Sequence, residues 1–274
     1  GTLRAEKLGD LEGAISRHEQ ALTKNGADVV ALRALVDLYD KTGRTDDYLR
    51  SLERLGQVGP AGERPATLRK LAAELADRDG AAARAKAAYE QLLALEPSAD
   101  DAFRGLERLL REQAQWYELV AVLEKHVAAA KSPTQRVELY LEAGHVHEKE
   151  LSDPHRAIDA HLEALALDDG NKQALSALAR MYQRTEQWDR AVDVLVRHAG
   201  LDGAGGAPML AEAGRLALEQ LMDPELAERH LERALALDPE NQDALRALAD
   251  LHGRRGSWAS AVDGLLRAEA TCGN

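Results

Sequence analysis

The chain has 274 residues, 45% of them hydrophobic and 30% charged, a balance that fits a folded chain and excludes a disordered one. Its formal charge of -12 argues against general nucleic-acid binding, which depends on clustered Lys and Arg against phosphates. Aromatic residues make up only 4% with Phe103 the single phenylalanine, so the core must be aliphatic and Ala-rich, which favours closely spaced helices over packed sheets.

In chain order, residues up to about Lys7 read as the tail of a helix, and Leu11 to Lys24 as the helix that follows. A pair of helices is expected from Val29 to Gly56, then a Gly- and Pro-rich loop to Pro65, a residue suited to the first turn of the next helix. The next pair runs from Ala66 to Leu95 and stops at Glu96-Pro97; another opens at Asp100, carries Trp116 and stops near Lys131. Ser132-Pro133 supplies an N-cap followed by proline at the first helical position. Asp153-Pro154 and Asp223-Pro224 repeat that signal 70 residues apart. Asp202 to Ala207, with three glycines, is expected to be the most flexible stretch; Gln242 to the end forms the last pair, with Ala261 to Ala270 its final apolar helix.

Self-similarity binds these elements together. Trp116, Trp188 and Trp258 are 72 and 70 positions apart, each after a polar turn and before an apolar helix. Ala14, Tyr48, Ala85, Leu119, Ala157, Ala191, Ala227 and Ala261 follow at spacings of 34, 37, 34, 38, 34, 36 and 34. A period of 34 is that of stacked helix–turn–helix units, none of which can bury its apolar stripes alone. Leu175, Leu178, Ala179 and Tyr182 show the required helical face, and Ala191, Val192, Leu195 and Ala199 the partner face. The tryptophans are expected to pack between neighbouring helices.

On these residues the chain resembles the tetratricopeptide repeat (TPR) family over its whole length. Ala157 and Ala164, Ala227, Ala234 and Pro239, and Ala85, Leu92 and Pro97 occupy the family's small-residue and proline slots. The resemblance implies an all-α, right-handed α-solenoid of TPR-like helix–turn–helix repeats, about eight of them, in a single array over 1–274. The units fall at approximately 1–28, 29–62, 66–99, 100–133, 138–171, 172–205, 208–241 and 242–274. The family's Leu-Gly pair survives only as Leu178-Ala179 or Leu248-Ala249, and the even units carry Leu55, His126 and His198 where a small residue is usual. Gly1 stands where an initiator Met would, so the chain reads as a piece of a longer one.

Chemistry-bearing patterns are sparse. His145 and His147 are two apart and His155 and His161 six apart, neither being the i, i+4 spacing of a helical zinc site, so no metal is expected. Cys272 is the sole cysteine, which leaves no intrachain disulfide, no Cys-based zinc site and a reducing, cytoplasmic compartment favoured. No nucleophile elbow, phosphate loop or dinucleotide fingerprint occurs. Asp46-Asp47, Asp100-Asp101 and Asp168-Asp169 sit at helix boundaries, where carboxylates favour helix N-termini and solvation. The expectation is a non-enzyme without a cofactor. No apolar run approaches the length of about 18 residues that a membrane span needs.

In the resembled family, the first helix of each repeat lines a concave groove. Mapped onto it, Arg33, Lys70, Arg104 and Arg246 occupy one lining position, and Arg108 and Arg180 another, with Arg111 and Arg184 one turn on. No unit has the Asn required by the family's carboxylate clamp for chaperone tails. Arg104, Arg108 and Arg111, joined by Arg180 and Arg184, form a basic stripe able to hold acidic side chains, or else to pair with nearby Glu. The expected function is a scaffold binding a protein or peptide segment, acidic in part, in that groove. The alternatives are the recruiting arm of an enzyme whose catalytic domain lies elsewhere, and self-association through terminal repeats.

Overall fold

The computed structural model describes residues 9–272, with side chains to residue 270; the expected helix tail before Lys7 lies outside this range. Among the described residues there are fifteen α-helices, one short 3-10 turn and no strand. The chain divides into two compact units, one ending at Ala130 and the other beginning at Lys131. The first contains α1 (Leu11–Lys24), α2 (Val29–Thr42), α3 (Thr45–Val58), α4 (Arg64–Ala76), α5 (Ala82–Leu95), α6 (Asp100–Glu112) and α7 (Trp116–Ala129). The second contains α8 (Pro133–Lys149), α9 (Pro154–Leu167), α10 (Lys172–Arg184) and α11 (Trp188–Asp202). After the 3-10 turn Gly203–Gly206 it continues with α12 (Ala207–Glu219), α13 (Pro224–Leu237), α14 (Gln242–Arg254) and α15 (Trp258–Cys272).

Within each unit, every helix packs on the next in sequence, and successive hairpins stack through their first helices, as α4 does on α6 and α12 on α14. The starts follow from side-chain caps. Asp28, Asn171 and Asn241 accept bonds from the backbone N–H of Ala31, Ala174 and Ala244 at 3.0, 3.0 and 2.9 Å. The three Pro signals act as read: Ser132, Asp153 and Asp223 cap α8, α9 and α13, each with proline in the first turn.

The hairpin turns carry the repeat frame in their backbones. Gly9, Gly43, Gly80, Ala114, Ser152, Glu186, Met222 and Gly256 all have positive φ, between 53° and 75°, and apart from Gly203 they are the described residues that do. Each lies five positions before one of the eight frame residues from Ala14 to Ala261, all of which are buried. The left-handed conformation costs an L-residue roughly 1–2 kcal/mol and a glycine almost nothing. Met222→Gly is therefore expected to raise stability by about 1 kcal/mol. Gly80→Ala is expected to lower it by about as much, although a Cβ there meets nothing within 4 Å. Urea unfolding of the two variants measures both shifts.

Several local expectations change. Asp202 to Ala207 is a tight connection: α11 runs to Asp202, a 3-10 turn follows, and Gly206 lies against the Ala199 backbone so closely that a Cβ would be 2.4 Å from its carbonyl oxygen. The loop after Gly56 is shorter than read, since α3 continues to Val58. In the α8–α9 and α12–α13 hairpins, four residues join the helices, and the close-approach residue is glycine. A Cβ on Gly144 would meet the His161 ring at 2.5 Å, and one on Gly214 would meet Leu231 at 2.6 Å. Of the tryptophans, Trp188 packs into the core of the second unit as expected and Trp116 is half-buried. Trp258 is exposed along with Val262, Leu265 and Leu266, because α15 packs on α14 with no described helix on its other side.

Candidate protein-binding face

The residues expected to line a groove lie on the first helices of the hairpins. In the first compact unit these are Arg33 on α2, Lys70 on α4, and Arg104, Arg108 and Arg111 on α6; in the second, Arg180 and Arg184 on α10 and Arg246 on α14. All are exposed. Spacings of four and three residues put Arg104, Arg108 and Arg111 along one side of α6.

Four of these eight cations, Arg33, Lys70, Arg108 and Arg180, meet a residue of a neighbouring hairpin, and Arg104 and Arg184 meet one on their own helix. Arg33 pairs with Glu63 just ahead of α4, and Arg108 reaches back to Asp77 just after α4 at 2.9 Å and along α6 to Glu112 at 3.8 Å. Arg104 meets Asp100 at 2.8 Å. Arg180 meets Glu148 of α8 at 3.1 Å. Lys70 holds its ammonium 5.2 Å from the centre of the Tyr48 ring, and Arg184 packs against the sulfur of Met181 at 4.0 Å. Arg33, Arg104, Arg108 and Arg180 nonetheless keep 46, 70, 52 and 54% of their side-chain surface exposed. Exposed pairs are worth about 0–1 kcal/mol, which applies to those of Arg33, Arg104 and Arg108 but not to that of Arg180, whose partner Glu148 is buried.

The anions are not uniform. Asp100 and Asp101, read as a solvated helix start, are both engaged: Asp101 with Arg69, which holds its carboxyl below the usual range, and Asp100 with Arg104 and His126. Glu148 is buried, which alone would raise its carboxyl, but the bonds from Arg180 and Lys149 outweigh burial and hold it low. Arg246 lies in a groove between α12 and α14 together with Glu212, Glu219, Asp243 and Asp250. Arg215 in that groove is held by Glu212 at 2.6 Å and Glu219 at 2.8 Å. The groove between α12 and α14 thus holds four carboxylates against two arginines, which the mapping of arginines alone did not reveal.

Beneath α6 lies a buried polar network that spacing gave no reason to expect. His126 occupies a small-residue slot on α7, stacked on Phe103 with ring centres 4.4 Å apart. Its Nδ1 is 2.7 Å from Glu107 and its Nε2 2.9 Å from Asp100, whose other oxygen takes the bond from Arg104. Burial makes this histidine a tie between α7 and the Asp100 and Glu107 carboxylates of α6. Among the described residues no group of three or more His, Cys, Asp or Glu side chains is placed so that it could hold a metal ion.

Residues 174–206, spanning α10, α11 and the 3-10 turn, match the family model for the tetratricopeptide repeat. No curated protein matches the sequence. Among solved structures, MamA is 17% identical, with 61% of this chain and 94% of that one covered and a TM-score of 0.48. YrrB, described as a TPR protein with an unusual peptide-binding site, is 18% identical over 84% of this chain and 96% of its own, with a TM-score of 0.42. The Cut9–Hcn1 complex is similar at 16% identity over 94% of this chain and 56% of that one, with a TM-score of 0.40. One stretch of the chain thus matches a tetratricopeptide repeat directly, and the turns of the other helical hairpins keep the same frame.

Proposed function

We propose that the chain is a non-catalytic protein-interaction scaffold whose first-helix faces capture segments of partner proteins. The observation that carries this reading is α6, where Arg104 and Arg108 stand one turn apart, largely exposed, in ion pairs weak enough to exchange. A partner's Asp or Glu would displace Asp77 or Glu112 from Arg108, with aliphatic packing supplying affinity and the guanidinium groups setting register. The groove between α12 and α14, rich in carboxylates, favours a basic stretch of partner. No helix among the described residues is long and apolar enough to cross a membrane.

The test is capture of partner protein by the whole chain and by the Arg104→Glu/Arg108→Glu variant. Both positions are exposed, so the variant is expected to keep its helical circular dichroism and to lose the proteins that the parent retains. Identical capture by both would remove the arginine face from the function.

A further inference from the structure

In three even-numbered hairpins an arginine of the second helix reaches back to the loop ending the previous hairpin. Arg54 donates to the Gly26 carbonyl at 2.6 Å, Arg197 to that of Asp169, and Arg267 to that of Pro239 at 3.4 Å. Each spans 28 residues, so one bond recurs at equivalent junctions. The fourth equivalent position, 28 residues after Pro97, holds Lys125.

There the slot between the helices is wider than the equivalent one of about 350 Å³ beside Arg54. A cavity of about 660 Å³ lies between α5, α6 and α7, with Pro97 and Lys125 both on its wall. Buried Phe103 and Leu106 form its floor, and Leu93, Ala94, Val122 and Ala128 its sides. Lys125 is exposed and its ammonium has no ion pair or hydrogen bond among the described residues, and the Glu90 carboxylate on the wall has none among them either. An apolar slot of this size with few polar groups at its mouth has the form of a binding site, not of a packing defect.

We propose that this slot docks a short segment of a partner protein bearing one large apolar side chain with a carboxylate beside it. The apolar group covers Phe103 and Leu106, and the carboxylate takes up the Lys125 ammonium. Glu90 disfavours a second acidic group on the opposite flank. The site lies apart from the arginines of α6 and does not depend on their role.

Fluorescence anisotropy with the whole chain tests it. The probes are short labelled peptides carrying one Leu, Phe or Trp in a Gly/Ser background, next to either Asp or Lys. Asp-flanked peptides are expected to bind about tenfold more tightly than Lys-flanked ones. Lys125→Glu should reverse that order. Lys125→Arg should weaken binding by restoring the bond to the Pro97 carbonyl. Ala128→Trp, at an exposed position, should fill the slot and abolish binding; Ala94→Trp on the facing wall serves if the first variant does not fold. Arg104→Glu/Arg108→Glu should leave this binding intact. Absence of binding to the parent chain, or binding that survives both blocking variants, overturns the proposal. So does self-association of the parent that the blocking variants remove, since it would assign the slot to a second copy.

Discussion

Replacing His126 by Phe is expected to destabilise the first compact unit by about 3–5 kcal/mol, the cost of leaving one partner of a buried pair charged and alone. The phenyl ring keeps the stack on Phe103, so packing is conserved and the loss isolates the polar tie. Glu107 is buried and faces His126 at 2.7 Å; without the imidazole its side chain is left buried without that partner. The double variant His126→Phe/Glu107→Leu is therefore expected to recover most of the lost stability, because apolar replacement of both members of a buried pair is often neutral. Trp116, in the same unit, reports the transition in urea. A single variant as stable as the parent, or a double variant no better than the single, would show that the network adds nothing.

The second compact unit is expected to weaken in mild acid. His161 on α9 is buried against Gly144, and neither ring nitrogen has a hydrogen-bond partner. Burial lowers its pKa from the ordinary 6.5 to about 4, with Glu148 opposing and Arg180 and His145 reinforcing the shift. Because the folded chain binds this proton less readily than the unfolded one, stability is complete above pH 6.5 and falls as pH drops towards 4. The loss reaches roughly 3 kcal/mol. His230, on α13 one position before Leu231, which matches His161, is lowered in the same direction, chiefly by burial, and adds to the slope. His161→Phe removes the titrating group and should flatten the dependence to what His230 leaves. Urea midpoints between pH 4 and 7, read from Trp188 and Trp258, measure it; an unchanged slope in the variant would contradict the assignment.

The frame was legible in the sequence because its markers answer to backbone demands. Alanine stands where helices approach closely, and Asp-Pro or Ser-Pro where a helix begins with a capped first turn. Such constraints act within a few residues or repeat from hairpin to hairpin. What stayed hidden depends on which side chains meet across about thirty residues. Arg108 could be placed on an exposed helix face, but its bond to Asp77 follows from the packing of α6 on α4. The extra length in the α8–α9 and α12–α13 turns shifts the close-approach slot, which is why Gly144 and Gly214 escaped a fixed period. His126 looked like a poor fit to a small-residue slot; its two carboxylate partners on α6 are what make it fit. Lys125 likewise differs from Arg54, Arg197 and Arg267 by one conservative change, and only the bond those arginines make shows what is missing.

Amide hydrogen exchange resolved along the whole chain tests most directly whether the hairpins keep one frame. The account predicts protected helices broken by fast exchange at the turns holding Gly43, Gly80, Ala114, Ser152, Glu186, Met222 and Gly256. Protection running unbroken through these turns, or fast exchange centred on Ala85, Ala157 and Ala227, would mean that the helices pair differently, and the binding faces assigned to them would fall with the frame.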